Sequence, residues 1–419
     1  MATLTVDSGV MRTADGTPLK VKLRQAERVR KLKAVALVLP LFLFILISFV
    51  APIALMMFYS VDNPELVQTL PRTAAALEKW DGTALPDEAV FEAFAIDIRQ
   101  AREEKTIGMI AKRLNYEIPA IRSDVMSIGR TLEKFEQGPW KDVVIEAEPG
   151  TWGDIATWAV IKRATKPYTD FYFLSAMDRQ RDAANEIVKV PPAQAIFGRV
   201  YLRTFYISTV VTILTLLLGF PVAYLLATLP LKYSNLLMIL VLLPFWTSLL
   251  VRTTAWVVLL QSEGIVNDML IWLGIISERI QLIYNRAGTI IAMTHIQLPF
   301  TLLPIYSVMK TISPSHVRAA RSLGAGPFYA FWRVYFPQTT PGIAAGCLLT
   351  FILCLGYYIT PALVGGPSDQ MISYFVAFYT NQELNWGVAS ALGMILLVAT
   401  FVIYMIFNKL VGVDRIKLG

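Results

Sequence analysis

Residues 318–343 read RAARSLGAGPFYAFWRVYFPQTTPGI. The stretch carries Arg318, Arg321 and Arg333 and no acidic residue. It separates two apolar windows, Ala287–Met309 and Gly342–Leu363, each near the roughly 20 residues a helix needs to cross a ~30 Å hydrocarbon core. Just upstream, Ser313 suits an N-cap, and Pro314 suits the first helical position, where a missing N–H costs nothing. The spacing predicts a short helix running to Leu323, with Gly324 free to take the left-handed conformation that ends it. About ten residues make roughly 15 Å of helix, too little to cross, so the piece is expected along the membrane surface. Ala319, Ala320, Gly324 and Ala325 are small and let another surface approach the backbone. A second short helix is predicted from Pro327, with Phe328, Phe331, Val334 and Tyr335 as an apolar face packed on the membrane domain. Pro337, Pro341 and Gly342 are expected to break the chain before the next span. Two readings fit this segment. A partner protein grips the helix and turns the attached spans, or the helix rests on anionic lipid.

Outward from this segment, the whole chain is apolar. Of 419 residues, 55% are hydrophobic and 16% charged, and mean hydropathy is +0.53, a balance that points to several membrane spans. Six windows qualify: Ala34–Tyr59, Tyr201–Leu229, Leu236–Leu260, Ala287–Met309, Gly342–Leu363 and Gly387–Leu410. The first exceeds the about 7–15 apolar residues of a cleavable signal, so it reads as an anchor that stays. Prolines recur in these windows, and kinked helices survive in membranes where neighbours satisfy the freed carbonyls. Cys347 and Cys354 lie about 10 Å apart along one helix, too far to pair with each other, and read as small packing residues.

Charge orients the spans. Residues 1–33, Lys232, the segment between spans four and five, and the tail from Lys409 together hold 16 basic and 4 acidic residues. All fall on one side of a six-span chain, so the positive-inside rule places both termini and the quoted segment in the cytoplasm. Because the basic residues follow span ends, nucleic acid is not expected as a partner, whereas membrane lipid is. The expected organisation is a basic segment 1–33, a first span 34–59, an outer insert 60–200, a five-helix core 201–410 with the short surface helices at 313–341, and a tail 411–419. Residues 61–200 carry 18 basic and 22 acidic residues, a density typical of soluble proteins. Pro86, Asp87 and Glu88 suit a first helical turn, followed by Val90, Phe91, Phe94, Ile98 and Ala101 at helical spacing. A second helix is predicted over 119–135. Trp140, Trp152 and Trp158 suit either a small core or a contact with headgroups. The insert reads as a folded cap or as a docking surface for an extracytoplasmic partner.

Reactive chemistry is sparse. No GxxxxGK[ST] phosphate loop occurs, so the chain itself is not expected to hydrolyse ATP. No catalytic grouping and no metal-ligand spacing stand out; the two histidines, His295 and His316, lie far apart. His295 sits within the fourth window and reads as a packed, hydrogen-bonded residue or as part of a pathway. Arg252 lies inside the third, where a charge is costly and faces protein or water. It reads as a gate or as a buried anchor. Trp246, Trp256, Tyr357 and Tyr358 suit either packing or a passage whose aromatic faces attract organic cations. No Asp or Glu lies inside any window, so selectivity is expected to reside elsewhere.

The quoted segment resembles the cytoplasmic loop, written EAA…G………I.LP, of bacterial binding-protein-dependent ABC importer permeases. Ala319, Ala320, Leu323, Gly324, Ala325, Phe331, Val334, Pro337, Pro341, Gly342 and Ile343 match it, while Arg318 stands where the family has glutamate. LPFWTSLLVRTTAWVVLL (Leu243–Leu260), LPFTLLPIYSVM (Leu298–Met309) and YYITPALVGGP (Tyr357–Pro367) resemble the spermidine/putrescine-type subfamily. The resemblance covers about 201–419 and the first span. It implies an all-α membrane protein of the type I importer permease fold, with six transmembrane helices and a mostly helical periplasmic insert, in the bacterial inner membrane. It implies that Ser315, Arg318, Ala319, Ala320, Leu323, Gly324, Ala325, Phe331 and Pro337 couple the chain to an ATPase. Trp246, Arg252, Trp256, Tyr357 and Tyr358 are the candidate pathway residues. The implied partners are a second permease subunit, two ATPase subunits that bind ATP and Mg, and a periplasmic binding protein. A polyamine is the implied solute, with opine-like or aminophosphonate compounds as alternatives. Competing classes are a stand-alone ion-coupled transporter and an anchored structural or sensor protein built around the insert.

Overall fold

The computed structural model describes residues 5–7, 10–12, 18–182 and 184–411. The chain forms two units, 1–58 and 59–419. In the first, strands Thr5–Asp7 and Val10–Arg12 pair antiparallel, and a helix runs Leu19–Ile45. From Leu19 the basic segment is helical and continuous with the first span. Leu19–Lys33 contains no Gly or Pro and is rich in Lys, Arg, Leu and Ala, all good helix formers. A π-helical turn, Leu46–Val50, then leads into Ala51–Tyr59.

The insert is a helical bundle. Asp87 caps the helix Glu88–Glu103 by accepting the Val90 N–H at 3.2 Å, which leaves Pro86 one residue outside the helix and not in its first turn. Val90, Phe91, Phe94, Ile98 and Ala101 are all buried, as their spacing predicts. The next predicted helix is shorter than 119–135 and runs Ile121–Leu132, because Ala120 takes a left-handed φ of 69°. Trp152 and Trp158 are fully buried, with ring centroids 4.6–5.3 Å from Phe91 and Phe94, so these tryptophans form a core. Trp140 lies at its edge. The bundle closes with Phe171–Ala176 and a hairpin, Arg179–Arg181 on Ile187–Lys189.

Three long helices form the centre of the membrane core: Phe197–Thr228, Arg286–Thr311 and Phe336–Leu355. They are called the first, second and third core helices below. Their contact depends on residues without bulk. A Cβ on Gly346 would sit 2.5 Å from the Thr301 carbonyl oxygen, and one on Gly342 2.9 Å from that of Pro304. At the same level a chain of hydroxyls crosses all three. Thr301 Oγ1 donates to Thr215 Oγ1 at 2.8 Å and lies 2.6 Å from Thr350 Oγ1. Thr215 in turn donates to the Thr212 carbonyl at 2.9 Å. Each hydroxyl has one proton, so Thr350 must donate to Thr301.

Two expected spans differ in outline. The third is not continuous: Leu231–Leu242 and a 3-10 turn Leu243–Trp246 meet Leu249–Leu260 at a 97° bend. Pro244 cannot propagate a helix, and Ser248 starts a new one by accepting the Val251 N–H at 3.2 Å. The fifth starts and ends earlier than 342–363, running Pro327–Leu355, with Ile359–Val364 as a separate helix. Pro337 and Pro341 were expected to break the chain, yet helix passes through both. A π-helical turn, Phe331–Tyr335, precedes Pro337, and the Thr340 hydroxyl donates to the Pro337 carbonyl, the acceptor that Pro341 leaves unfilled. Counting the bent pair once, the described residues contain six apolar crossings, ending with Trp386–Val411; the tail from 412 lies outside the described residues.

The buried aromatic core predicts that Phe94→Ala lowers insert stability by about 3–5 kcal/mol, measured by thermal or denaturant unfolding. Glu65 predicts the opposite. Burial raises its carboxyl above the ordinary 4.5, against the lowering effect of Lys112 and Arg113, and its Oε2 has no hydrogen-bond partner among the described residues. A carboxyl raised in the folded state favours folding while protonated and costs stability once pH passes its folded value. Glu65→Gln should therefore raise the thermal midpoint at neutral pH and lose that advantage in acid.

Candidate functional site

The surface helix forms as its sequence dictates. It runs Pro314–Ser322, capped by Ser313, whose Oγ accepts the Ser315 N–H at 3.4 Å and lies 2.7 Å from the Ser315 hydroxyl. Gly324 takes a φ of 92° and ends it. No residue of this helix is buried, and Leu323 is 89% exposed, so Ser315, Arg318, Ala319, Leu323 and Gly324 form an open face, with Ala320 half-buried beside them. Ala325 is half-buried at its edge.

Two ties hold the helix to the core. Val317 packs against the cluster of Leu226, Leu302, Ile305 and Tyr335. His316 Nδ1 lies 2.8 Å from Gln338 Oε1, and Gln338 Nε2 donates to the Val334 carbonyl at 2.6 Å. The surface helix is thereby fastened to the start of the third core helix. Phe331 and Pro337 belong to this fastening and not to the open face. Phe331 packs edge-on against Phe220 and Tyr224 at 6.4 and 5.6 Å, and Pro337 begins the third core helix. Phe328, expected to pack inward with Phe331, Val334 and Tyr335, is 78% exposed. The helix that carries it lasts only Pro327–Ala330 before the wider π-turn rotates the following residues.

A second constellation lies toward the other end of the second core helix. The Trp256 indole N–H donates to His295 Nδ1 at 3.0 Å. An indole nitrogen only donates, so the imidazole is neutral at Nδ1 and carries its proton on Nε2. Thr253 and Thr360 hydroxyls meet at 3.1 Å, joining Leu249–Leu260 to Ile359–Val364. Arg252 lies one residue away, with its guanidinium 5.9 Å from the Phe245 ring and close enough to His295 and Tyr357 for both to feel its charge. Its Nε is buried without a hydrogen-bond partner among the described residues. Arg252 and Trp256 therefore lie near His295, and Tyr357 lies near Arg252. Tyr358 instead faces Tyr374 at 6.4 Å, and Trp246, 75% exposed at the bend, makes no ring contact among the described residues.

The candidate pathway set held neither Thr253 nor Thr360, whereas His295, read as a packed, hydrogen-bonded residue or as part of a pathway, is hydrogen-bonded to Trp256. Thr253 lies on the helix that follows the 97° bend, and nothing local in Thr253 or Thr360 announces that bend. Cys354 is buried and Cys347 half-buried, both as free thiols, in keeping with packing. Trp256→Phe should release His295 from its single tautomer. With only two histidines in the chain, 15N-histidine spectra would show one ring changing on substitution, and an unchanged ring would contradict the assignment.

Residues 215–412 match the family described as binding-protein-dependent transport system inner membrane component. The spermidine/putrescine transport system permease protein PotB of Haemophilus influenzae is 36% identical over 220 residues, covering 52% of this chain and 77% of that relative. The inner membrane ABC transporter permease protein YdcU of Escherichia coli K12 is 32% identical over 231 residues, covering 51% and 71%. A solved bacterial ABC transporter involved in import of the acidic polysaccharide alginate is similar at 23% identity, covering 53% of this chain and 80% of that one with a TM-score of 0.41. With that identity across more than three quarters of the PotB relative, this chain belongs to the binding-protein-dependent transport system inner membrane components and is a permease subunit of an ABC importer.

Proposed function

We propose that this permease passes a polyamine of the spermidine/putrescine class from a periplasmic binding protein to the cytoplasm, driven by two ATPase subunits that hold ATP and Mg. The open face of the Pro314–Ser322 helix carries this reading: a short, capped helix with no buried residue, tied at its back to the core. In this reading Ser315, Arg318, Ala319, Ala320, Leu323, Gly324 and Ala325 meet the ATPase. Phe331 and Pro337 pass its movement to the third core helix. The excess of Lys and Arg at one set of span ends supports placing this helix and both termini in the cytoplasm. The insert then stands in the periplasm, where it serves as the docking surface for the binding protein.

The substrate class follows the names of the PotB relatives. Trp256 and Tyr357, beside Arg252, are the pathway residues in this reading, with Trp246 and Tyr358 flanking them. Aromatic faces suit an organic cation. No Asp or Glu lies in the spans of this chain, so the counter-charge for a polyamine comes from the binding protein and from a second permease subunit.

The test is reconstitution of the importer in liposomes with its ATPase and binding protein, measuring uptake of labelled putrescine or spermidine. Leu323→Asp is expected to leave the permease folded, since the residue is 89% exposed. A central contact contributes about 2 kcal/mol or more, so ATPase affinity should fall by roughly 30-fold, with uptake lost in parallel. Normal uptake by Leu323→Asp would remove the surface helix from the coupling machinery. Uptake by the permease alone, driven by an ion gradient, would replace the reading with a secondary transporter.

A further inference from the structure

Asp178 does something that its place in the chain does not require. It lies in the insert, after the helix Phe171–Ala176, and takes a left-handed φ of 55° that residues with a Cβ seldom adopt. Its carboxylate accepts three backbone N–H groups from 18 to 20 residues ahead. Ile196 and Phe197 donate to Oδ1 at 3.1 and 3.0 Å, and Gly198 donates to Oδ2 at 2.7 Å. Its own carbonyl accepts the Val190 N–H at 3.2 Å, fixing the end of the hairpin to the same residue.

Those three amides open the first core helix, whose N-cap position, Ile196, has no side-chain cap of its own. The first amides of a helix have no partner within it and carry partial positive charge. A residue of the insert thus supplies the anion that this membrane helix lacks. Other contacts make the junction firm. Tyr172, Ala176, Phe197, Val200, Ile372 and Val388 form one buried cluster across it. A Cβ on Gly387 would sit 2.5 Å from the Tyr172 ring, and Lys112 Nζ donates to the Leu384 carbonyl at 3.1 Å.

We propose that Asp178 is the positioning residue through which the insert moves the first core helix, so that a binding protein seated on the insert acts directly on the transport core. The inference rests on the docking role given to the insert above. The first core helix also carries Thr215, one link of the hydroxyl chain to the other two core helices, so displacement at Asp178 reaches all three.

The experiment uses the complete importer, full-length permease included, and reads ATP hydrolysis with and without substrate-loaded binding protein. Asp178→Gly removes the carboxylate while tolerating the left-handed backbone. Asp178→Asn tolerates the same backbone and keeps one oxygen for the Ile196 and Phe197 amides. Asp178→Gly should leave basal hydrolysis unchanged and cut the stimulation by about fivefold or more, and Asp178→Asn should restore most of it. Wild-type stimulation in Asp178→Gly, or an equal loss in both variants, would overturn the proposal. If Asp178→Gly fails to assemble, hydrogen exchange at the amides of residues 196–198 in the wild-type importer decides. Loaded binding protein should alter it, and unchanged exchange overturns the proposal. A wild-type importer that no binding protein stimulates would instead overturn the docking role of the insert, and this inference with it.

Discussion

The core depends on one close approach. At Gly346 the third core helix comes so near the second that the Thr301 carbonyl occupies the space a side chain would need. In lipid, no hydrophobic force draws helices together, so close backbone contact and interhelical hydrogen bonds do that work. The hydroxyl chain Thr350–Thr301–Thr215 supplies those bonds at the same depth. The second core helix is held at its middle in this way. It carries His295 on one side of that point and leads into the Pro314–Ser322 helix on the other. Both candidate functional regions are placed by this contact, because each is tied to an end of a helix fixed at its waist.

Membrane helices rich in proline need substitutes for lost backbone donors, and the chain provides them locally. Both π-helical turns, Leu46–Val50 and Phe331–Tyr335, end two residues before a proline, Pro52 and Pro337. A wide turn shifts the carbonyl register just where the next N–H is missing. At Pro341 the repair is a side chain, the Thr340 hydroxyl. At Pro244 the chain instead bends by 97°. That bend brings Trp256 to His295.

These repairs explain what could be read in advance and what could not. Apolar length indicated the crossings but not the bend in the third or the early start of the fifth, whereas Ser313, Pro314 and Gly324 bounded the surface helix to within a residue, since caps and left-handed positions are local chemistry. The aromatic core of the insert was legible from the 3.6-residue spacing of Val90, Phe91, Phe94 and Ile98. Proline was misjudged: counted as a helix stop at Pro337 and Pro341, it is accommodated because a hydroxyl and a wide turn lie next to it. The direction of Phe328 was missed for the same reason, since an ordinary helical wheel does not hold across a π-turn. The pairings Trp256–His295 and Thr253–Thr360 are long-range and follow from the bend, which no single residue declares.

The six apolar windows of this chain hold Arg203, Arg252 and, near the end of the last, Lys409, but no carboxylate. Wherever a passage runs along such a wall, a small cation meets a fixed positive charge in a medium that screens it poorly. This chain therefore supplies no carboxylate there to hold sodium or potassium.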